Sequence, residues 1–276
     1  MNTHWLLAPR LAASPGWWRV FLAGAVLCLA AALIQRVPAA PGGNYGWTVG
    51  YGIAAAALLV VAMAYSVRRR MPRRGPGALH HWVQAHVYGG TLFVVAVALH
   101  SGGAFPGGFL SWCLWVASLW VVVTGLLGVF LQKWIPPALT SALATEVHYD
   151  RIPELVAAVH DKVELLVAAS SESVRKFHDA NLEAVLARPR TSFVYFFDIT
   201  GGIQSRMRRF DYLKRLLDED DAQRLEELRT LTRTKLEMDA HYTLQKALWW
   251  WVYLHVPAAF LLTMLVAIHV FAVLYY

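Results

Sequence analysis

Apolar side chains gather in five long blocks, at residues 17–34, 50–67, 82–104, 109–131 and 247–276, and none contains an Asp or Glu. An α-helix rises about 1.5 Å per residue, so even the two shortest blocks span roughly 27 Å, close to the hydrocarbon core of a bilayer. The first block, flanked by Arg10 and Arg36 and holding Arg19, has a rival reading as a signal peptide, because Val37-Pro38-Ala39 resembles a small-residue cleavage site. It is read here as a retained first transmembrane helix. Between the fourth and fifth blocks lie about 115 mostly polar residues. Residues 152–186 place Val156, Val159, Val163 and Leu166 at helical spacing, and Arg188-Pro189 stops that helix. Residues 192–199 predict a short strand ended by Gly201-Gly202, and 213–248 predict a charged helix running directly into the fifth block. The pattern predicts an all-α integral membrane protein, a five-span helical bundle with a mainly helical insert between spans four and five. Its parts are residues 1–81 (two spans and a basic loop), 82–132 (spans three and four), 133–246 (the insert) and 247–276 (span five).

Composition agrees with the blocks. The chain has 276 residues, 57% of them hydrophobic, with a mean hydropathy of +0.43, too apolar for an ordinary soluble domain. The net charge of +7 comes from arginines beside apolar blocks, the densest being Arg68, Arg69, Arg70, Arg73 and Arg74. Membrane topology accounts for that charge, so nucleic-acid binding is not expected. The positive-inside rule puts this loop, the amino terminus and the insert in the cytoplasm of a bacterial-type inner membrane, with the carboxyl terminus outside. Spans three and five then run parallel. Trp17, Trp18, Trp47, Trp82, Trp112, Trp134 and Trp249 to Trp251 mark the water boundaries as an aromatic belt. The two cysteines, Cys28 and Cys113, sit apart in apolar blocks and no CxxCH occurs, so this chain holds neither a covalently attached haem nor an iron–sulfur cluster of its own.

Histidines change the picture. His86 and His100 lie fourteen residues apart in the third block, and His255 and His269 fourteen apart in the fifth. Fourteen residues make nearly four turns, roughly 21 Å, so both histidines of a helix share one face near opposite ends. On parallel spans His86 is level with His255 and His100 with His269. Ionisable groups within a membrane are costly and mark function. Two facing imidazole pairs are what two haem b groups stacked across a membrane require as iron ligands, the inner on His86/His255 and the outer on His100/His269. With both axial positions filled, such sites transfer electrons and leave no open position for bond chemistry. His241 is also fourteen before His255, but its surroundings are polar and Pro72 stands at its level on span three. His148, His160 and His178 read as solvated. Gly89 and Gly90 follow His86 by one turn, and Gly102 and Gly103 follow His100; either helix packing or room for a macrocycle explains them. Arg69 and Arg70, within the Arg68–Arg74 stretch, are candidate propionate partners inside, and Ser101 outside. Pro257 removes a helix hydrogen bond and predicts a bend in span five. Without intramembrane acids an autonomous proton pump is not expected. If a quinone binds, His80, His81, His148, Tyr149 and Asp150 at the inner mouth are the proton-handling candidates.

On these four histidines the chain resembles the dihaem membrane cytochromes b. The cytochrome b of quinol–cytochrome c oxidoreductases carries His-x13-His on two helices separated by one. The transmembrane domain of ferric reductases and NADPH oxidases carries similar pairs on its third and fifth spans. The match covers 82–131 and 247–276, about a third of the chain. It implies a haem-bearing electron conduit between the quinone pool and a redox partner subunit, an iron–sulfur, flavin or c-type cytochrome protein. No Pro-Glu-Trp motif of the first family occurs here, and the large insert is expected in neither family. Two other expectations stand beside this one: a self-contained transmembrane reductase of ferric iron or another outer acceptor, and a non-redox membrane scaffold whose histidines bond between helices.

Overall fold

The computed structural model describes residues 15–35, 43–71, 76–142 and 147–275. Pro72, Arg73, Arg74 and the Val37-Pro38-Ala39 triplet lie outside them. The long helices are α1 (Pro15–Gln35), α2 (Gly43–Arg70), α3 (Leu79–His100), α4 (Phe109–Ala142) and α9 (Glu219–Tyr275). The shorter ones are α5 (Ile152–Ala168), α6 (Glu172–Asn181), α7 (Glu183–Leu186) and α8 (Ile199–Lys214). Two compact units emerge: Gln132–Trp250 forms the bulk of one, and Ala8–Leu131 with Trp251–Tyr276 the other.

In the apolar unit, α2, α3, α4 and α9 are each long and apolar enough to cross a membrane, while α1 contributes a shorter apolar stretch, Arg19–Leu33. Their apolar windows are only 6% to 28% buried. Water would make that much exposed apolar surface costly, and a bilayer removes the cost. The helices point to a multi-pass membrane protein. Close backbone packing joins α2 to α3 and α1 to α3. A buried layer of Ala55, Leu59, Phe93, Ala96, Ala117 and Leu262 ties α2, α3, α4 and α9 together.

Chain reversals are written into the ends of these helices. At the end of α2 the buried Arg68 guanidinium donates to the carbonyls of Met71, Pro76 and Gly77 at 2.7, 3.0 and 2.8 Å. It caps α2 and ties Pro76 and Gly77 to its end. At the end of α3, Gly102 takes φ +60°. The N–H of Gly103 reaches the Ala98 carbonyl and that of Gly102 the Leu99 carbonyl, both at 3.2 Å, the two bonds of a Schellman stop. Gly102 and Gly103 therefore end α3 immediately after His100, a main-chain role beyond the helix-packing and macrocycle readings.

In the other unit, the amphipathic segment 152–186 is three helices, broken at Ala169–Ser171 and at Leu182. Val156, Val159 and Val163 are buried as the spacing predicts, with Val167 taking the place assigned to Leu166. His178 is not solvated: it is 2% exposed, with Nδ1 3.0 Å from an Asp179 carboxylate oxygen. The strand predicted at 192–199 is absent. Phe193–Phe196 forms one turn of 3-10 helix and α8 begins at Ile199. Asp198 accepts the Gly201 N–H at 2.7 Å as N-cap, so Gly201-Gly202 opens a helix instead of closing a strand. Tyr195 and Ile199 are buried while Phe197 between them is 79% exposed, whereas a strand would place all three on one face.

The charged helix α9 starts at Glu219, after the predicted 213, and runs unbroken through Pro257 to Tyr275. Its first turn carries Glu219, Asp220 and Asp221, which suit the positive end of the helix dipole. Within it Lys235 and Asp239, both almost fully buried, pair at 2.7 Å. Burial raises the Asp239 carboxyl and lowers the Lys235 amine from their ordinary ranges, and their mutual contact opposes both shifts. Gln245 binds the preceding segment twice, accepting from Tyr149 N–H at 2.9 Å and donating to Val147 carbonyl at 2.7 Å.

Candidate functional site

Within the apolar unit the four intramembrane histidines form two pairs between α3 and α9. The His86 and His255 rings stand 6.2 Å apart, centre to centre, with their planes at 83°. His100 and His269 repeat both values, 6.2 Å and 83°. Edge-to-face aromatic contacts cover the same range. So does an imidazole–metal–imidazole axis: with metal–nitrogen bonds of about 2.0 Å, and each nitrogen about 1.1 Å from its ring centre, the ring centres stand roughly 6.2 Å apart.

Hydrogen bonds orient the rings. The Nδ1 of His86 lies 3.0 Å from the Ala62 carbonyl, and that of His100 lies 2.8 Å from the Thr48 carbonyl. A carbonyl only accepts, so each Nδ1 carries the proton and each Nε2 keeps its lone pair. That is the tautomer of a metal-ligating histidine with its second nitrogen anchored. Ala62 and Thr48 are themselves fourteen residues apart on α2, so one helix serves both levels. On α4, the Thr124 hydroxyl donates to the Trp120 carbonyl at 2.7 Å and stands 2.9 Å from the Nδ1 of His255, from which it accepts. Trp251 donates to the Thr124 carbonyl at 2.8 Å and stacks at 6.0 Å on the His255 ring. Trp120 donates to the Leu254 carbonyl at 3.1 Å, close to where Pro257 interrupts the α9 ladder.

Glycines admit these rings. A Cβ at Gly52 on α2 would sit 2.9 Å from the His100 ring, and one at Gly125 on α4 would sit 3.5 Å from the His255 ring. Gly128 touches the Trp251 indole, with no room for a side chain. Gly89 is buried facing Leu58 of α2, which favours its packing role, whereas a Cβ at Gly90 would meet nothing within 4 Å. Midway between the two levels, seven residues from each histidine, lie Phe93 and Leu262, 5% and 0% exposed.

The basic end of α2 divides its labour. Arg68 is committed to main-chain carbonyls. Arg69, half-buried, follows one turn after Tyr65, whose ring is 5.2 Å from that of His86. Arg70 is exposed. At the other end Ser101 donates to the Ala98 carbonyl at 3.2 Å. Among the quinone candidates, the His80 and His81 rings lie 3.8 Å apart in this unit. Tyr149, in the other unit, stacks on Tyr242 at 5.0 Å. Burial, then its Tyr242 neighbour, pushes its phenol above the ordinary range, so it keeps its proton.

Thr124, Gly52, Gly125 and the two α2 carbonyls were not among the residues the histidine spacing singled out. Fourteen-residue spacing on α2 was available as a signal only once the acceptors were known to be main-chain atoms. Among the described residues, no group of three or more His, Cys, Asp or Glu could hold a bare metal ion. Two imidazoles per level fit a metal whose remaining four ligands arrive with it, as in a porphyrin. Compared with protein-family models, curated proteins and solved structures, the chain finds no match in any of the three.

Proposed function

We propose that this chain is a dihaem b-type cytochrome subunit of a membrane oxidoreductase, carrying electrons across the membrane between the quinone pool and a redox partner subunit. One observation carries the reading: two imidazole pairs of equal separation and angle, four helical turns apart, with ring nitrogens pre-oriented by main-chain carbonyls and Thr124. His86 and His255 hold the inner haem, His100 and His269 the outer. A haem held by these imidazole pairs would supply one-electron transfer. Arg69, beyond Tyr65, is the leading propionate partner inside, and Arg70 is placed to follow it. Gly90 leaves room on the α3 face that carries His86.

The topology belongs to the same proposal. α1, at 21 residues, adds a fifth span to the four long apolar helices. The positive-inside rule puts the amino terminus and the 133–246 insert in the cytoplasm of a bacterial-type inner membrane, with the carboxyl terminus outside. Quinone, where it binds, draws its protons at the inner mouth. The partner is an iron–sulfur, flavin or c-type cytochrome protein.

A reduced-minus-oxidised absorption spectrum of the purified protein, with pyridine-haemochrome quantification, tests the core of this. Two low-spin b-type haems per chain are expected. A colourless protein made with ample haem supply would leave edge-to-face histidines holding helices together.

Thr124→Val gives a finer check. It removes the acceptor of His255 Nδ1–H while keeping the shape of the side chain. Loss of such a partner typically weakens a metal site by about 10- to 100-fold. The inner haem should therefore be lost first on dilution or detergent washing and shift its redox midpoint, with the outer unchanged. Identical behaviour of both haems would sink the assignment of Thr124 to the inner site.

A further inference from the structure

The segment between α7 and α8 is tied down by its main chain, while its arginine side chains stay exposed. Arg190 N–H donates to Asp239 at 2.8 Å and Ser192 N–H to the Thr243 hydroxyl at 3.2 Å, which fastens the segment to α9. Arg188, Arg190 and Arg206 line a pocket of about 380 Å³ together with Tyr195 and Asp239. Asp239 is already engaged by Lys235 and by the Arg190 N–H. Arg206 acts on the Asp239 carboxylate through space, but among the described residues none of the three guanidinium groups closes an ion pair or a side-chain hydrogen bond. Tyr195 keeps its proton, since burial pushes its phenol up to about 12, so it adds a donor and no negative charge. Three arginine forks around one pocket suit a phosphate group.

Beside these charges the same segment exposes aromatic surface. Phe193 and Phe197 are 74% and 79% exposed and meet at 5.4 Å. Their neighbour Phe196 stacks on Trp134 at 6.0 Å and 15°. Trp134 directly follows Lys133 at the end of the fourth apolar block, the position of an aromatic-belt residue. Exposed phenylalanines at the level of a belt tryptophan, next to three exposed arginines, match the boundary between acyl chains and headgroups.

We propose that this surface binds an anionic phospholipid, its headgroup phosphate held by Arg188, Arg190 and Arg206, with Phe193 and Phe197 seated among the upper acyl chains. The proposal rests on the membrane reading of α4 and is independent of haem.

The test is native mass spectrometry of the full chain in detergent, with phosphatidylglycerol or phosphatidylcholine added, and with haem content and circular dichroism read in parallel. Phosphatidylglycerol should be retained in preference to phosphatidylcholine. The R188Q/R190Q/R206Q variant should lose that preference by on the order of a hundredfold, at about fivefold per surface arginine. F193S/F197S should weaken retention of the same lipid, with haem content unchanged in both variants. Should the triple variant not fold, the single exposed change R206Q carries the test, with a loss of about fivefold expected. Equal retention of the two lipids, or undiminished phosphatidylglycerol binding in the variants, overturns the proposal. Displacement of the lipid by millimolar glycerol phosphate or inorganic phosphate also overturns it, in favour of a soluble phosphate ligand.

Discussion

Replacing His100 with alanine is expected to halve the haem content, from two per chain to one, with the remaining spectrum that of the His86/His255 site. The reason lies in how the two levels are separated. Each pair is an independent contact between α3 and α9, and each α3 histidine has its own carbonyl on α2. Between them lies a packed layer in which Phe93 and Leu262, seven residues from either histidine, are almost fully buried against Ala96, Ala117 and Leu59. Removing one imidazole leaves that layer intact, so the loss stays local. His269→Ala should give the same spectrum as His100→Ala, while His86→Ala or His255→Ala should leave the outer haem. His241→Ala supplies the control. It stands at the same spacing before His255, is buried in the other unit, and lies within hydrogen-bond range of Gln245 at 3.3 Å, so both haems should remain. Pyridine-haemochrome quantification on folded protein decides the matter. Loss of both haems from the His100 variant, or of neither, would contradict the pairing.

Much of this arrangement was legible in the chain, because a membrane helix writes its length and its polar exceptions in side chains. Four of the five apolar blocks are long membrane-compatible helices, and the histidines meet in the pairs that equal spacing implied. What was not legible depends on the main chain or on competition between local signals. The acceptors at Ala62 and Thr48 are carbonyls, which any residue offers. Residues 192–199 look like a strand by composition, but Asp198 captures the Gly201 N–H, and a helix begins where the strand should end. Gly102 and Gly103 were read through helix packing or macrocycle room, and only the structure shows that they take positive φ and stop α3. His178 looked solvated by its charged neighbours, and tertiary packing buried it. Arg68 looked like any other basic residue of a cytoplasmic loop, and only the structure separates its capping role from its neighbours.

Gly52→Val should remove the outer haem almost as completely as loss of a ligand, although Gly52 is not one. A Cβ there would lie 2.9 Å from both Cε1 and Nδ1 of His100 and 3.6 Å from Nε2. The ring cannot retreat without giving up its 2.8 Å bond to the Thr48 carbonyl, one turn back on the same helix. Either the ring turns and Nε2 leaves the His269 axis, or α2 moves away from α3, with which it packs along its length. Loss of an anchoring partner alone weakens metal sites by about 10- to 100-fold, and displacement of the ring adds to that. Gly52→Ala should show the same effect in part. In a helix interior, alanine is favoured over glycine by about 1 kcal/mol, so this variant should lose haem without losing helix stability. That separation distinguishes a site effect from general misfolding. Gly50→Ala, two residues away, where an added Cβ meets nothing within 4 Å, should keep both haems. Haem stoichiometry and thermal melting measured on the three variants settle it: full outer-haem occupancy in Gly52→Val would mean that the His100 ring is not held where a ligand must be.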